Sequence, residues 1–304
     1  MFDGFAQNEF RIDAKGKTVL ITGASGFIAG HFSRRMAAEG WEVFGIDRPG
    51  APVPPGFRQV VPLALGESMA AVVAETHPDA ILHTALDPAP DSYNVNVGGT
   101  RRWLEEGQSA RVGVQILLSS LSASENALTE HGRGKWALEQ AFHAAGEVAV
   151  RPGLVVGKGG VFEKLVDAAR RTPLIPMLGG GQQLLHVLGV ERLAEILRDV
   201  VVSNGDGLRD RPWNLSQPQP YTLRQVMDAI VRGYGFKRLT LPLPIRPVLL
   251  GVELLEKQPL VRVPISSTNA QALMQAGQQM FPSDYPRFGY PEQSLEELVR
   301  LARG

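Results

Sequence analysis

The sequence predicts an α/β fold, a doubly wound parallel sheet followed by a smaller C-terminal α/β lobe. Three observations carry that expectation. Short apolar runs of strand length alternate with segments of helical spacing over the first half of the chain. The first of these runs ends in a glycine turn that opens the first helix. The length of 304 residues and a hydrophobic content of 44% suit a core of that size.

Lys17–Thr22 (KTVLIT) is an apolar run ending at Gly23, the pattern of a strand buried on both faces. Residues 27–39 carry apolar side chains at helical spacing and stop at Gly40. Trp41–Ile46 is the second strand, closed by Asp47, Arg48, Pro49 and Gly50, with a proline-rich loop after it. Phe57–Leu63 predicts a strand, Ser68–Thr76 a helix and Ala80–Thr84 a strand. Val97–Gln108 predicts a helix, Val114–Ser119 a strand, Lys135–Ala145 a helix and Val148–Arg151 a strand. Repeated units of this size imply helices on both faces of the sheet. Beyond about residue 158 the pattern loosens. Helices are expected at 161–171, 191–202 and 222–233, the last capped by Thr222, and prolines cluster at 242–264. Residues 1–157, with strands that return later, are expected to form the sheet domain, and 158–304 mainly the lobe.

Composition narrows the function. Lysine plus arginine number 31 and aspartate plus glutamate 31, so the formal net charge is zero. No global field draws in nucleic acid or an anionic membrane, no long basic run stands out, and neither partner is expected. Cysteine is absent, which removes disulfides, thiol nucleophiles and cysteine-ligated metals and suits a reducing cytoplasm. The first residues lack the apolar core of a signal peptide, and no stretch approaches the ~20 apolar residues of a membrane helix. The six histidines show no metal spacing, and no metal site is expected. His83 reads as a packed strand residue, His31 as a helix residue, and Gly179–Gly181 as a plain turn before a strand.

The most informative segment is Thr22-Gly23-Ala24-Ser25-Gly26-Phe27-Ile28-Ala29. Here a G-x-x-G-x-x-A pattern follows a strand and opens a helix. The first glycine allows the turn, the second lets a pyrophosphate approach the backbone, and the small third residue lets helix and strand pack. Free amides and the helix dipole favour phosphate there. Asp47 at the end of the second strand can accept hydrogen bonds from ribose hydroxyls and repels a 2′-phosphate, which favours NAD over NADP. Arg48 can stack on adenine or bind a 2′-phosphate, so NAD(P) stays open at this point.

ITGASGFIAGH, ILHTA, NVGGT, LLSS, the lysine segment at 131–135, VRPGLVVG and GVERLAEIL follow one another in order from about residue 17 to 300. In that combination the chain resembles the extended short-chain dehydrogenase/reductase family, also called the NAD-dependent epimerase/dehydratase family. The resemblance implies a Rossmann domain with a small substrate lobe, and a homodimer through helices at about 97–108 and 131–145. It implies a dinucleotide held by Gly23, Ser25, Gly26, Phe27, Ile28, Asp47, Arg48, Leu65, Ala85, Leu86, Asn96, Ser119, Lys135, Pro152 and Gly153. The family's acidic residue after the third strand is missing, and Leu63–Leu65 are left to offer apolar and backbone contacts.

The family's chemistry uses a Tyr-x-x-x-Lys pair and a serine or threonine. The lysine holds the nicotinamide ribose and lowers the tyrosine pKa. The phenol then exchanges a proton with the substrate oxygen while hydride moves. Here the segment reads His131-Gly132-Arg133-Gly134-Lys135, with histidine in the tyrosine position. Imidazole titrates near ~6.5, and the neighbouring ammonium lowers it. Three readings follow. His131 replaces the tyrosine as acid/base; or it only binds, with the proton coming from water or substrate; or the chain binds the dinucleotide without turnover. Ser120, with Ser122 second, is the matching hydroxyl.

Family members acting on nucleotide sugars hold the diphosphate with an asparagine and an arginine. The matching positions here are Leu154 and Leu185, which offer neither donor nor cation, although Arg246 and Arg262 can serve from another direction. Leu184 and Met177 add to a greasy pocket. The sequence thus predicts an NAD(P)-dependent oxidoreductase acting on a carbonyl or secondary alcohol of a small, rather apolar molecule. The alternatives are a nucleotide-sugar epimerase or dehydratase with tightly held NAD, and a non-catalytic NAD(P)-sensing protein.

Overall fold

Alternation along the strands divides the core between the two faces of one sheet. The computed structural model describes residues 17–89, 91–244 and 280–304. The main sheet uses β1 (Thr18–Thr22), β2 (Glu42–Asp47), β3 (Gln59–Pro62), β4 (Ala80–His83), β5 (Val114–Leu118), β6 (Val148–Pro152) and a strand at Trp213–Leu215. Seven strands lie in the order β3-β2-β1-β4-β5-β6 and then 213–215, all parallel. Val19 and Ile21 face one side; Leu20 between them faces the other. Val148 and Val150 repeat the division around Ala149.

Helices cover both faces. On the first side lie α1 (Phe27–Ala38), with Phe32 and Met36 buried, and a later helix at Val190–Val202, with Leu193, Ile196 and Leu197 buried. On the second lie α2 (Ala70–Thr76), α3 (Tyr93–Ser109) and α4 (Glu130–Ala144), which bury Val73, Trp103, Leu104, Leu138 and Phe142.

Two helices start earlier than the spacing predicts. The α3 helix begins at Tyr93 rather than Val97, and α4 at Glu130 rather than Lys135. The Thr129 hydroxyl accepts the Gly132 amide at 3.2 Å, so α4 has a proper N-cap. Gly132 disguised this start, since glycine weakens a helix. A Cβ there would stand 2.6 Å from Ser122 O and Ala127 Cβ, so contact selects glycine. The strand expected at 57–63 shortens to Gln59–Pro62.

In the lobe, β7 (Leu154–Val156), α5 (Gly160–Arg171) and β8 (Leu174–Leu178) come first. Then follow β9 (Leu184–Leu185), β10 (Val187–Gly189), α6 (Val190–Val202), β11 (Trp213–Leu215) and β12 (Tyr221–Thr222). The chain continues through α7 (Leu223–Tyr234) and β13 (Leu239–Leu243) to α8 (Leu295–Arg303). Thr222 caps α7 in a reciprocal box with Gln225. Gly179–Gly181 form a short turn before β9, as expected. The pairs β7–β10, β9–β12 and β8–β13 are separate two-stranded sheets. A second core of Phe162, Val166, Met177, Val226, Ile230 and Leu298 joins α5, α7 and α8. The α6 helix and β11, from the second half of the chain, pack into the sheet domain. Most of the proline cluster at 242–264, with Arg246 and Arg262, lies outside the described residues.

Candidate active site

The strand order changes direction between β1 and β4, because β2 and β3 lie on one side of β1 and β4 on the other. The loops after β1 and β4 therefore part at their carboxyl ends, the place where open α/β sheets bind ligands. Gly23 follows β1 with φ +74°, and a Cβ on it would stand 2.8 Å from Ala85 Cα. Only glycine lets the two loops touch. Gly26 caps α1 with no side-chain hydrogen bond, leaving first-turn amides directed at the opening. Asp47 Oδ2 accepts the Ser25 amide at 2.6 Å, and its Oδ1 accepts the Arg48 amide at 2.8 Å.

A groove of about 450 Å³ opens here, lined by Gly23, Ser25, Gly26, Asp47, Arg48, Leu65, Ala85 and Leu86. A second cavity of about 280 Å³ adjoins it and holds His131 and Lys135. Ala85–Pro88 line both, so the two form one cleft divided by the loop after β4. These features fit a dinucleotide: a tight glycine turn, uncapped amides at a helix N-terminus, and a carboxylate beside them.

His131 and Lys135 stand one turn apart on α4. Lys135 is buried, and its Nζ donates to Leu118 O at 2.6 Å. Burial lowers its pKa to about 8, against an opposing pull from Glu139. His131 sits at the rim with an exposed edge. Desolvation by the cavity wall, then the Lys135 charge, lower its imidazole to about 4. At neutral pH it is therefore neutral, able to accept a proton at one nitrogen and donate from the other. The remaining walls mix apolar Ala85, Leu86, Pro88, Ala89 and Leu138, and the Tyr93 ring beside Gly134, with polar Asp87, Ser92, Asn96, Thr100 and Glu130.

Other expected site residues take different places. Asn96 lines the second cavity, but both ends of its amide are engaged: Nδ2 donates to Asp87 O and Ser92 Oγ, and Oδ1 accepts the Asp87 amide. It braces the dividing loop. The Ser119 hydroxyl is buried and donates to Glu139 Oε1 at 2.5 Å, so it turns away from the cleft. Arg151 holds the same carboxylate through two bonds, at 2.7 and 2.5 Å. Ser120 and Ser122 bond each other at 2.9 Å and line neither cavity, although Ser122 O abuts Gly132 beside His131. Pro152 and Gly153 lie outside both linings; a Cβ on Gly153 would collide with His186 O. The Phe27 ring packs on Gly157 and Gly159 and the Ile28 side chain joins the core, so only their main chains face the glycine turn.

Sequence reasoning missed Asp87 and Tyr93 as wall residues and Glu139 as the hub behind Lys135. Glu139 at i+4 from Lys135 was the one legible hint. His83 is buried against Gln115, with burial lowering its pKa to about 4, so it is a packed strand residue. Among the described residues no cluster of metal-ligating side chains occurs, and no helix is long and apolar enough to cross a membrane.

Known proteins similar to this chain include two reductases or dehydrogenases and a sugar-nucleotide epimerase. A ceramide reductase of Caulobacter vibrioides is 32% identical over 215 residues, spanning 62% of this chain and 67% of that enzyme. A 3-beta-hydroxysteroid dehydrogenase of Mycolicibacterium neoaurum is 34% identical over 121 residues, 35% of this chain and 32% of that enzyme. The chain thus spans about two thirds of the first relative and a third of the second. The UDP-glucose 4-epimerase of Thermotoga maritima, solved with UDP-glucose, shares the fold with a TM-score of 0.69. It is 17% identical, and the match covers 94% of this chain and 97% of that one. The family model described as the NAD dependent epimerase/dehydratase family matches residues 19–214, and the chain belongs to that family.

Proposed function

We propose that this chain interconverts a carbonyl and a secondary alcohol on a small, apolar molecule, with NAD as the hydride carrier. The observation that carries this reading is the second cavity. It joins His131 and Lys135 to the apolar side chains of Ala85, Leu86, Pro88, Ala89 and Leu138, with Asp87 and Glu130 also in its wall, and opens onto the glycine-turn groove. NAD, when bound, supplies or accepts the hydride. The first-turn amides of Phe27 and Ile28 hold its pyrophosphate, since those of residues 23–26 already donate within the turn and to Ile46 and Asp47, and Asp47 takes the adenosine ribose hydroxyls and disfavours a 2′-phosphate. Lys135 anchors the nicotinamide ribose, fixed by its bond to Leu118 O. His131, neutral at pH 7, takes the proton from an alcohol oxygen during oxidation and returns it to the oxygen during reduction.

Missing diphosphate ligands favour a less polar substrate over a nucleotide sugar. Leu154 and Leu185 join the apolar packing of the lobe and offer no charge to a diphosphate. The names of the two relatives point the same way, since ceramide and steroid are both apolar molecules with oxidisable oxygens. A homodimer through the outer faces of α3 and α4, which pack on each other, belongs to the same reading.

His131→Phe tests the assignment, with turnover of a steroid or long-chain carbonyl measured by NADH absorbance. Loss of at least ~100-fold with NAD affinity unchanged is expected for a removed proton carrier. Unchanged turnover rules that role out. Absence of turnover in the unmutated protein across a broad carbonyl panel, with NAD still bound, would support a sensing role instead.

A further inference from the structure

The lobe carries an apolar sheet face that no part of the proposed reaction uses. In the parallel pair β8–β13, Leu239 lies opposite Leu174, Leu241 opposite Pro176 and Leu243 opposite Leu178. Paired residues share a face, and successive residues alternate between faces. Ile175 and Met177 point inward and are buried, so these six point outward. Leu239 is 73% exposed, Leu174 43% and Leu241 42%. Single exposed leucines are ordinary; a two-stranded face built only of leucine and proline is not.

Charge at one end of this face identifies what it meets. Parallel pairing brings the starts of both strands together. Arg170 and Arg171 end α5 just before β8, and Lys237 and Arg238 stand just before β13. Four cations far apart in sequence therefore gather at one end of the apolar face. Arg238 donates to Ala169 O and Arg170 O, which fixes it at the helix C-terminus. Among the described residues Asp167 is the acidic partner ion-paired there, 2.7 Å from Arg170 and 3.8 Å from Arg171, which leaves the described cluster net positive. An apolar surface bordered by cations matches the layering of an anionic bilayer, acyl chains below and phosphates above.

We propose that the outer face of β8–β13 docks this protein peripherally on an anionic lipid surface, with the leucines in the acyl boundary and the four cations at the phosphates. Docking of this kind brings the lobe to where apolar molecules partition. It does not depend on the reaction assigned above, because binding to lipid is read without turnover.

Flotation with vesicles tests it. The protein should float with equimolar phosphatidylcholine and phosphatidylglycerol, float far less with phosphatidylcholine alone, and be released by salt. Leu239→Asp with Leu241→Asp, and separately Arg171→Glu with Lys237→Glu, should each lower partition at least ~10-fold. Both variants change exposed groups outside the cleft, so turnover of a water-soluble carbonyl and the unfolding temperature should stay as in the unmutated protein. No preference of the unmutated protein for anionic vesicles overturns the proposal. So does charge reversal without effect. Sedimentation velocity showing that the leucine variant dissociates a dimer that ignores vesicles also overturns it, assigning the face to a second copy. If a variant fails to fold, the salt and lipid dependence of the unmutated protein decides alone.

Discussion

Lys135 and the imidazoles near it set how the site responds to pH. His131 is held near 4 by desolvation and then by the Lys135 charge, and Lys135 near 8 by burial. Alcohol oxidation needs His131 neutral and Lys135 charged. The kcat/KM for oxidation should therefore rise through about 4, stay level, and fall through about 8. A pH–rate profile checks this, and loss of the acid limb in His131→Phe assigns it. Stability moves too. His83 and His131 titrate near 4 in the fold but near 6.5 when unfolded. The unfolded chain binds more protons between those values, so stability is fully present above 6.5 and declines as pH falls toward 4. Urea midpoints across that range should fall with pH; a flat series would contradict the burial of His83. Asp47 works at the same scale. Its carboxylate braces Ser25 and faces the groove, so Asp47→Ala should weaken NAD more than NADP. Equal losses measured by titration would hand the choice to Arg48 and the loop.

Elements place these residues through contacts that spacing does not record. Glu139 is fully buried on α4 and gathers Ser119 from beyond β5 and both guanidinium arms of Arg151 from β6. Glu139→Gln leaves Arg151 without its counter-charge and should cost about 3 kcal/mol, seen as a lower urea midpoint. Glu139→Gln with Arg151→Met should recover part of that loss. Pairs of this kind explain how much of the site could be read beforehand. The glycine turn, Asp47 and the His131–Lys135 spacing were legible, because each is local to one strand end or one helix face. Asn96 bracing Asp87, and Ser119 turned to Glu139, were not, because their partners come from other elements. Strands showed clearly since both their faces are buried and apolar. The start of α4 was hidden by Gly132, whose reason is a contact with Ser122 across the loop.

At the scale of the molecule, the sheet order produces the cleft. Reversal at β1–β4 separates two loops, Gly23 and Ala85 let them touch, and α4 projects His131 and Lys135 into the space beyond. The lobe, with its own core, is fastened to the sheet domain by α6 and β11, and β8–β13 forms a two-stranded sheet separate from the seven-stranded one. Both the proposed reaction and its coenzyme preference depend on the groove beside residues 23–28 holding a nicotinamide dinucleotide. Calorimetric titration of the protein with NAD and NADH tests this most directly. Saturable heat with one site per chain, weakened in Asp47→Ala, is the predicted result; no heat and no thermal shift with either form would contradict it.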